Sequence, residues 1–471
     1  MQNSLTLEEA EPVAEMAPAD LRRVILAASV GTLFEWYDFY LYGSLAVFFG
    51  GLFFPKGNET AQLLASLATF GAGFGVRPLG AIVFGHLGDL IGRKYTFLVT
   101  MATMGLSTAL VGLLPTYATF GLGSTALLVL LRLLQGLALG GEYGGAATYV
   151  AEHVPDKKRG FYTAFIQTTA TLGFFLSMVV IGTSRGTMSA DDFKAWGWRI
   201  PFLLSFVLLA VSLYIRIKMK ESPLFARAKT EGKTSKNPLK ESFGNPMNRR
   251  YVLIALFGAT AGQGVVWYTG QFYALTFLQS ALKVDWQTSY ILVAIALALA
   301  APLFIYFGWL SDRIGRKKIM MAGCALGALT YIPIYMGLIH FTNPDHLPKA
   351  DPAQINHVAV VALLFIQMVY VCMVYGPIAA FLVELFPTKI RYTSMSVPYH
   401  LGNGWFGGFL PLIATAVTAS AWAKDSFGPN SILTGLLYPI GVCIVTLIVG
   451  GLFIRETKDH KIDTDLHQMG H

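Results

Sequence analysis

Charged side chains are scarce in this chain of 471 residues. Asp, Glu, Lys and Arg make up 13% of it, whereas an average soluble domain carries about 25% charged residues. Hydrophobic residues make up 54%. A surface with so little charge does not face water over most of its area, which excludes an ordinary soluble domain and indicates an integral membrane protein.

Cysteine is also scarce. The three cysteines, Cys324, Cys372 and Cys443, stand far apart inside apolar runs. Their spacing suggests neither a metal site nor a disulfide framework. We therefore interpret them as small buried hydrophobic residues and predict no metal site.

Signals for an enzyme, a nucleotide-driven pump or a secreted precursor are missing. The zinc-protease pattern H-E-x-x-H does not occur. Gly232-Lys233-Thr234 matches only the end of a phosphate-binding loop, because Arg227 stands where that loop needs its first glycine. Residues 1–20 are polar and acidic without an apolar core, so they do not form a signal peptide. We predict neither an enzyme nor a bound cofactor.

The chain does contain twelve mostly apolar stretches of about 20 residues, the length that crosses a bilayer as a helix. Because twelve is even, both termini lie on one side of the membrane. Lys and Arg concentrate in the loops of that side, which predicts cytoplasmic termini. The predicted spans lie near residues 24–50, 61–84, 95–115, 123–150, 161–183, 199–217, 251–279, 288–309, 319–341, 357–383, 394–419 and 433–454.

The predicted domain boundaries follow from these spans. We expect an all-α membrane protein of two pseudo-symmetric six-helix bundles, residues 23–217 and 251–456. The basic stretch 218–250 between them is predicted to be a cytoplasmic linker near anionic lipid headgroups, and not a nucleic-acid site. Residues 1–22 and 457–471 are predicted to be cytoplasmic tails, the first of them disordered.

An internal repeat supports two related halves. Residues 85–94 read GHLGDLIGRK and residues 308–317 read GWLSDRIGRK. Two shorter motifs recur in the same order at nearly the same separation: Glu152…Pro155…Arg159 with Glu384…Pro387…Arg391, and Glu221-Ser222 with Glu456-Thr457. Such duplication is typical of transporters that rock one half against the other.

The repeated motifs fall at predicted cytoplasmic helix ends and carry both acids and arginines. A carboxylate there can accept hydrogen bonds from the N–H groups that begin a helix, and an arginine fork suits a carboxylate. We predict a cytoplasmic latch that is closed when the site faces outward; the alternative is that these charges only anchor helix ends at the interface. The predicted latch residues are Asp89, Arg93, Glu152, Arg159, Glu221, Asp312, Arg316, Glu384, Arg391 and Glu456.

Ionisable residues inside spans are costly and usually functional. At about 1.5 Å per helical residue, Asp38 and Arg132 lie near or above the membrane midplane, Arg77 and Glu142 below it, and Glu35 between. We predict that Asp38 or Glu35 carries a proton, with Arg132 as its partner and as an anchor for a substrate carboxylate. The alternative is a fixed structural ion pair between the first and fourth helices.

Further polar side chains in the spans are candidates for contact with a substrate. For each amide the alternative is an interhelical hydrogen bond, worth about 0.6–2 kcal/mol. The predicted substrate-binding residues are Arg77, Arg132, Gln135, Glu142, Gln167, Gln263, Gln271 and Tyr375.

These motifs resemble the major facilitator superfamily and, more narrowly, its metabolite:proton symporter family. The likeness extends over residues 24–457. GHLGDLIGRK resembles the superfamily's loop between helices two and three, and the RLLQG run that starts at Arg132 resembles its second motif. The narrower likeness is carried by EWYDFYLYG at 35–43, RPLG at 77–80, GGEYGGA at 140–146, WGWRIPF at 196–202 and ELFPT at 384–388.

The resemblance implies a transporter that works by alternating access. Family members carry organic acids such as oxoglutarate, citrate and shikimate, or zwitterions such as proline and betaine, together with protons. We therefore expect a monomer in a bacterial inner membrane that takes up a small carboxylate with a proton and needs no other cofactor. The alternatives are a zwitterion symporter and a proton-linked exporter or facilitator of the same fold.

Overall fold

A computed structural model describes residues 18–91, 93–141, 143–217, 238–387, 390–460 and 462. The described residues are mostly helical. Of the predicted site residues, Glu142 and Glu221 lie outside the described residues, as do the side chains of Asp89 and Arg93. Residues 218–237 of the predicted linker lie outside them too.

Twelve long helical segments, α1 to α12, follow one another along the described chain. They are α1 (Pro18–Ser44, then Ala46–Phe53), α2 (Glu59–Gly75, then Arg77–Ile91), α3 (Arg93–Val111), α4 (Leu122–Gly140, then Tyr143–Ala151), α5 (Arg159–Gly186), α6 (Arg199–Leu203, then Ser205–Ile217), α7 (Pro246–Ala281), α8 (Trp286–Ile314), α9 (Arg316–Thr342), α10 (His357–Tyr375, then Ile378–Leu385), α11 (Arg391–Leu401, Gly402–Gly408 and Leu410–Ala419) and α12 (Leu437–Phe453). Short helices at Tyr117–Phe120, Asp156–Lys158, Ala190–Asp192, Phe193–Gly197, Pro238–Gly244, Ala421–Phe427 and Gly428–Leu436 lie between them.

Nine stretches of the described residues are long and apolar enough to cross a membrane. They belong to α2, α4 to α10 and α12, and α3 contributes the shorter apolar helix Leu98–Val111. α1 and α11 are more polar, but their middle turns are buried against other helices. Polar side chains are tolerated there because they do not meet lipid.

Two helices begin earlier than the hydropathy predicted. The described part of α1 starts at Pro18, so the helix covers residues that were predicted to lie in the disordered tail. α7 begins at Pro246, where the side chain of Asn245 accepts a hydrogen bond from the N–H of Met247. Hydropathy does not register such capping, which is why the predicted starts are late.

The two halves face each other through the helix pairs α5–α8 and α2–α11. α8 is the repeat counterpart of α2, and α11 is that of α5, so the two pairs are equivalent under the pseudo-twofold relation of the halves. The counterparts α1 and α7 meet through aromatic rings, with Tyr40 stacked on Trp267 at 5.3 Å between ring centroids.

One run of residues matches a hydrolase motif by its letters alone. Gly182, Ser184 and Gly186 fit G-x-S-x-G, which in hydrolases forms a sharp turn between a strand and a helix. In this protein the run lies within α5, and the hydroxyl of Ser184 donates to the carbonyl of Val180 one turn earlier. These residues therefore do not form the strand-to-helix turn that exposes the nucleophilic serine in hydrolases.

Glycines bring the backbones of α2 and α4 into direct contact. A Cβ at Gly136 would overlap the carbonyl of Gly73, and a Cβ at Gly140 would overlap the carbonyl of Arg77. The obstacle in both cases is backbone, which cannot rotate away. Close approach of this kind is common where small residues line a membrane helix interface.

We predict that Gly136→Val lowers the thermal stability of the purified protein. The added side chain must push α2 and α4 apart, and overpacking costs about 1–3 kcal/mol. Fluorescence-detected size-exclusion chromatography after heating measures the midpoint. Gly182→Val is the matched control, since a Cβ at Gly182 meets nothing within 4 Å. Equal midpoints for the two variants would refute the packing argument.

Candidate functional site

Aromatic rings from both halves meet midway along the helices. Trp36 and Tyr40, four residues apart on one face of α1, stack at 5.0 Å between ring centroids. Tyr40 stacks on Trp267 of α7, and Trp267 lies 6.3 Å from Tyr375 of α10. The rings form a continuous surface that runs from the N-terminal half to the C-terminal half.

Arg77 lies beside this surface, at the point where α2 is interrupted. The interruption at Val76 precedes Pro78, which lacks a backbone N–H and disfavours a continuous helix. The Arg77 side chain is fully buried, with its guanidinium carbon 5.3 Å from the centroid of Trp36 and 5.2 Å from that of Phe74. Nε, Nη1 and Nη2 meet hydrogen-bond geometry with no described residue, although the hydroxyl of Tyr399 comes close to the guanidinium.

A tyrosine cluster closes this region on the side where the termini lie, which the sequence predicts to be cytoplasmic and which is called the cytoplasmic side here. Tyr143 of α4 and Tyr399 of α11 stack face to face, with 3.4 Å between ring centroids. The Tyr399 hydroxyl lies 2.7 Å from that of Tyr375. Gln167 of α5 donates to the Tyr375 carbonyl at 3.2 Å. Arg77 is near enough to Tyr399 for its charge to act on the hydroxyl.

Buried polar atoms without a hydrogen-bond partner collect in this region. Native proteins pair nearly all such atoms, so an unpaired set contributed by both halves is what a binding site for a polar molecule requires. Within the described residues the set comprises the three guanidinium nitrogens of Arg77, Tyr143 Oη, Gln167 Oε1, Trp267 Nε1, Gln271 Oε1 and both ring nitrogens of His400.

Asp38 lies elsewhere, inside the N-terminal half. Its carboxylate is buried and accepts a hydrogen bond of 2.5 Å from the Ser205 hydroxyl of α6. The neighbouring Tyr37 hydroxyl donates to the Pro201 carbonyl at 2.8 Å, which also ties α1 to α6. Glu35, one turn before Asp38, is likewise buried. The two acidic residues therefore lie one turn apart on α1, and both are buried.

The predicted pair between Asp38 and Arg132 is not formed in this structure. Arg132 is buried and donates to the Phe39 carbonyl at 3.1 Å and to Gln135 Oε1 at 2.6 Å. Its guanidinium carbon lies 4.3 Å from the centroid of the Phe39 ring. Consecutive helical residues point about 100° apart, so Asp38 faces α6 while Phe39 faces α4. Depth along the helix places the two residues at a similar level, but it does not give the direction in which each side chain points. The difference in direction keeps Asp38 and Arg132 apart.

The remaining predicted contacts divide between the interface and the separate halves. Gln271 donates to the Thr171 hydroxyl of the opposite half at 3.1 Å. Gln263 instead forms a reciprocal amide pair with Asn403, at 2.9 and 2.8 Å, within the C-terminal half. The structure brings Arg77, Gln167, Gln271 and Tyr375 to the interface between halves, whereas Arg132, Gln135 and Gln263 bond within one half.

Sequence reasoning missed most of the aromatic side chains at this interface. A signal was available for two of them, because Trp36 and Tyr40 flank Asp38 at a spacing that places both rings on one helix face. Nothing in the sequence links residues as distant as 143 and 399. The missed residues are Trp36, Tyr40, Tyr143, Trp267 and Tyr399. His400 stands out in the sequence as an ionisable residue inside a span, where a proton relay and a hydrogen-bonded histidine are the two interpretations.

The cytoplasmic ends of the two halves are joined through a buried carboxylate. Glu384 of α10 accepts hydrogen bonds from Arg159 of α5 at 2.9 Å and from Arg316 of α9 at 3.0 Å. The hydroxyl of Thr457, beyond α12, donates to the same carboxylate at 2.7 Å. All of these side chains are buried, so one acid connects both halves and the C-terminal segment.

Asp312 links the halves at the start of α5. Its two oxygens accept from the N–H groups of Gly160 and Phe161, each at 2.8 Å, and it pairs with Arg316 at 2.7 Å. A carboxylate is favoured at this end of a helix because the N–H groups there lack helical partners.

Further predicted latch residues complete the cytoplasmic contacts. Arg391 of α11 lies 3.5 Å from Glu152 at the end of α4. Glu456 accepts from the backbone N–H groups of Arg316 and Lys317, which begin α9, at 2.8 and 3.2 Å. In this conformation the predicted latch residues described by the structure are in contact, and their role as a gate stays a prediction.

The opposite ends of the halves are also in contact. The Tyr290 hydroxyl of α8 donates to the carbonyl of Ser44 in α1. The guanidinium of Arg185, at the end of α5, lies 4.2 Å from the ring centroid of Trp286, which begins α8. The halves are therefore in contact at both ends, and the aromatic and polar groups between them are buried.

The sequence of this chain matches a known protein family over most of its length. The profile of the Major Facilitator Superfamily matches residues 28–411. The chain belongs to the major facilitator superfamily. This membership confirms the predicted family and the twelve-helix membrane fold, and it identifies the chain as a multi-pass membrane transporter and not an enzyme.

Individual members give the likeness in detail. The chain is 34% identical over 461 residues to the inner membrane metabolite transport protein YhjE of Escherichia coli strain K12, covering 95% of this chain and 97% of YhjE. It is 31% identical over 451 residues to the proline/betaine transporter of Salmonella typhimurium strain LT2, covering 94% and 85%. The proton:xylose symporter XylE bound to 6-bromo-6-deoxy-D-glucose superposes with a TM-score of 0.73 at 17% identity, covering 94% and 98%. The last likeness shows the fold alone.

We predict that Glu384→Gln opens the cytoplasmic side of this transporter. Removing one partner of a buried ion pair costs about 3–5 kcal/mol, and only the closed arrangement bears that cost. A cysteine at Ala164, which abuts Gly308 across the closed interface, reports opening through its rate of reaction with a water-soluble maleimide. The rate should rise about tenfold or more.

Asp156→Asn is the matched control for this experiment. Asp156 also pairs with Arg159, but its side chain is exposed, so its loss should leave the rate nearly unchanged. The native cysteines are buried and contribute little background. An unchanged maleimide rate in the Glu384→Gln variant would show that this carboxylate does not hold the cytoplasmic side closed.

Proposed function

We propose that this major facilitator transporter couples inward movement of protons to uptake of a small metabolite that carries a carboxylate. The observation that carries this proposal is the guanidinium of Arg77, which is buried at the interface between halves and has no acidic partner among the described residues. A buried cation without a counter-ion is costly, and a bound anion removes that cost. A guanidinium fork binds a carboxylate through two parallel hydrogen bonds.

The surroundings of Arg77 define the rest of the substrate. Trp36, Tyr40 and Trp267 offer ring faces for an apolar or cyclic body. The same faces attract a quaternary ammonium group through cation–π interactions, which makes a zwitterion the second candidate. The relatives named for metabolites and for proline and betaine support both, and both classes share the carboxylate that Arg77 would hold.

Replacing Arg77 by Gln tests the substrate site. We expect loss of binding by about 30-fold or more, since truncating one partner of a buried charged pair costs about 2–5 kcal/mol. Thermal-shift titrations against a panel of carboxylic acids and betaines identify a ligand for the wild type and then measure the variant. Arg313→Gln is the control, because Arg313 packs on Trp309 at the exposed cytoplasmic end of α8. Unchanged affinity in Arg77→Gln refutes the site.

We assign to Asp38 the coupling of proton movement to substrate transport. A carboxyl group enclosed by protein is favoured in its protonated form, and contact with water favours release of the proton. Rocking of the halves would expose Asp38 to each compartment in turn, while Ser205 offers a hydrogen bond to the ionised form. Glu35 is the alternative carrier, because it is buried one turn away on the same helix.

The variant Asp38→Asn should abolish accumulation driven by a proton gradient while exchange of labelled for unlabelled substrate persists. The amide keeps the size of the carboxyl group but cannot cycle a proton. Uptake into proteoliposomes, with and without an imposed gradient, measures both activities. Glu35→Gln tests the alternative carrier, and Asp351→Asn, in an exposed loop, is the neutral control. Wild-type accumulation by Asp38→Asn would exclude this residue as carrier.

We place the transporter in a bacterial inner membrane with both termini in the cytoplasm. The basic residues beside the spans and the inner-membrane relative support this orientation. Labelling of single cysteines by an impermeant reagent in intact cells tests it.

A further inference from the structure

His400 is a buried titratable residue that the proposed mechanism leaves unused. It lies near the end of the first part of α11, with no exposed surface. Neither ring nitrogen has a hydrogen-bond partner among the described residues. The ring comes near the carbonyl of Gly140 without meeting hydrogen-bond geometry. An imidazole normally presents one donor and one acceptor, so two polar groups are unmatched here.

The surroundings of His400 place it at the substrate site. Its ring meets Tyr399 edge-on at 5.3 Å and Tyr143 at 6.4 Å between centroids. The charge of Arg77 reaches the imidazole, since α11 packs directly against the second part of α2. Arg77 belongs to the N-terminal half and His400 to the C-terminal half, so a molecule that touches both would bridge the interface.

Tyr143 adds a second unmatched group on the same side. Its hydroxyl lies near Gln167 and Tyr399 but meets hydrogen-bond geometry with no described residue, whereas the Tyr399 and Tyr375 hydroxyls bond each other. The unmatched groups near Arg77 therefore exceed what one carboxylate can satisfy. A ligand with a single polar end would leave His400 and Tyr143 buried and unpaired, which lowers its affinity.

We propose that His400 is a specificity-determining residue that hydrogen-bonds a second polar group of the substrate. This inference rests on the proposed carboxylate site at Arg77 and narrows its substrate class to small carboxylates that also bear a hydroxyl or oxo group. Arg77 holds the carboxylate from one half, and His400 contacts the second group from the other. A site built to hydrogen-bond such a group discriminates strongly against the analogue that lacks it. A fully methylated betaine has no group for His400.

Matched pairs of acids test the proposal on the purified full-length protein in nanodiscs. The probes are mandelate with phenylacetate, 2-oxoglutarate with glutarate, and shikimate with 1-cyclohexenecarboxylate, together with glycine betaine. Isothermal titration measures each dissociation constant. We expect the wild type to prefer the substituted member of at least one pair by tenfold or more.

The variants separate specificity from general binding. In His400→Leu the preference should fall to below threefold, through weaker binding of the substituted acid, while the unsubstituted acid binds as in the wild type. His400→Gln, which keeps a donor and an acceptor, should retain part of the preference. Arg77→Gln should weaken both members of each pair, so its result reports on the proposed function and not on His400.

Several outcomes would overturn the inference. Equal loss of affinity for both members in His400→Leu, with a lowered melting temperature, would indicate a structural histidine. If that variant does not fold, His400→Gln decides, because a reduced but measurable preference there supports the proposal, whereas an unchanged preference or an equal loss for both members refutes it. A wild type that prefers glycine betaine or the unsubstituted acids refutes the role of His400 and leaves the carboxylate site intact. Binding of none of the probes refutes both.

Discussion

The interaction on which the central region depends is the burial of a guanidinium that has no acidic partner among the described residues. Arg77 lies between the halves, where the faces of Trp36 and Phe74 and the nearby hydroxyl of Tyr399 partly offset its charge. Cation–π contacts contribute about 2 kcal/mol or more when desolvated, which is less than the cost of burying an ion. Under the proposed function a bound anion would offset that cost, so binding and closure of the halves would favour each other.

Charge at the cytoplasmic ends is balanced in a different way. Glu384 lies between Arg159 and Arg316, and Asp312 occupies the start of α5, so the acids and bases there satisfy one another. Buried ion pairs yield little net stability, because the cost of removing charges from water offsets most of their attraction. A contact of this kind specifies one closed arrangement and still allows the halves to separate. Arg77 has no such pairing among the described residues, and for that reason the proposed substrate site is centred on it.

Irregular turns shape the two helices that supply the C-terminal side of the site. α7 contains π-helical turns at Leu256–Thr260, Thr269–Tyr273 and Phe277–Ala281, and α11 contains one at Gly402–Gly408. Each such turn inserts an extra residue and rotates the side chains that follow, and π-turns are frequent at functional sites. Gln271 lies within one of them and Trp267 just before it. Hydropathy does not reveal these π-turns, because the composition of a π-turn resembles that of the flanking helix.

The sequence alone determined that this chain spans a membrane, that it has two related halves, and that Arg77, Asp38 and the cytoplasmic acids and arginines stand out chemically. Those inferences follow from composition and from motifs that recur in the same order at nearly the same separation, which are properties of the linear chain. Only the tertiary structure decided which of these side chains meet. Asp38 turns toward Ser205 and away from Arg132 because adjacent helical residues point in different directions. Tyr143, Tyr399 and His400 come together because α4 and α11 pack across the interface, a proximity that depends on how the helices pack and not on any local pattern.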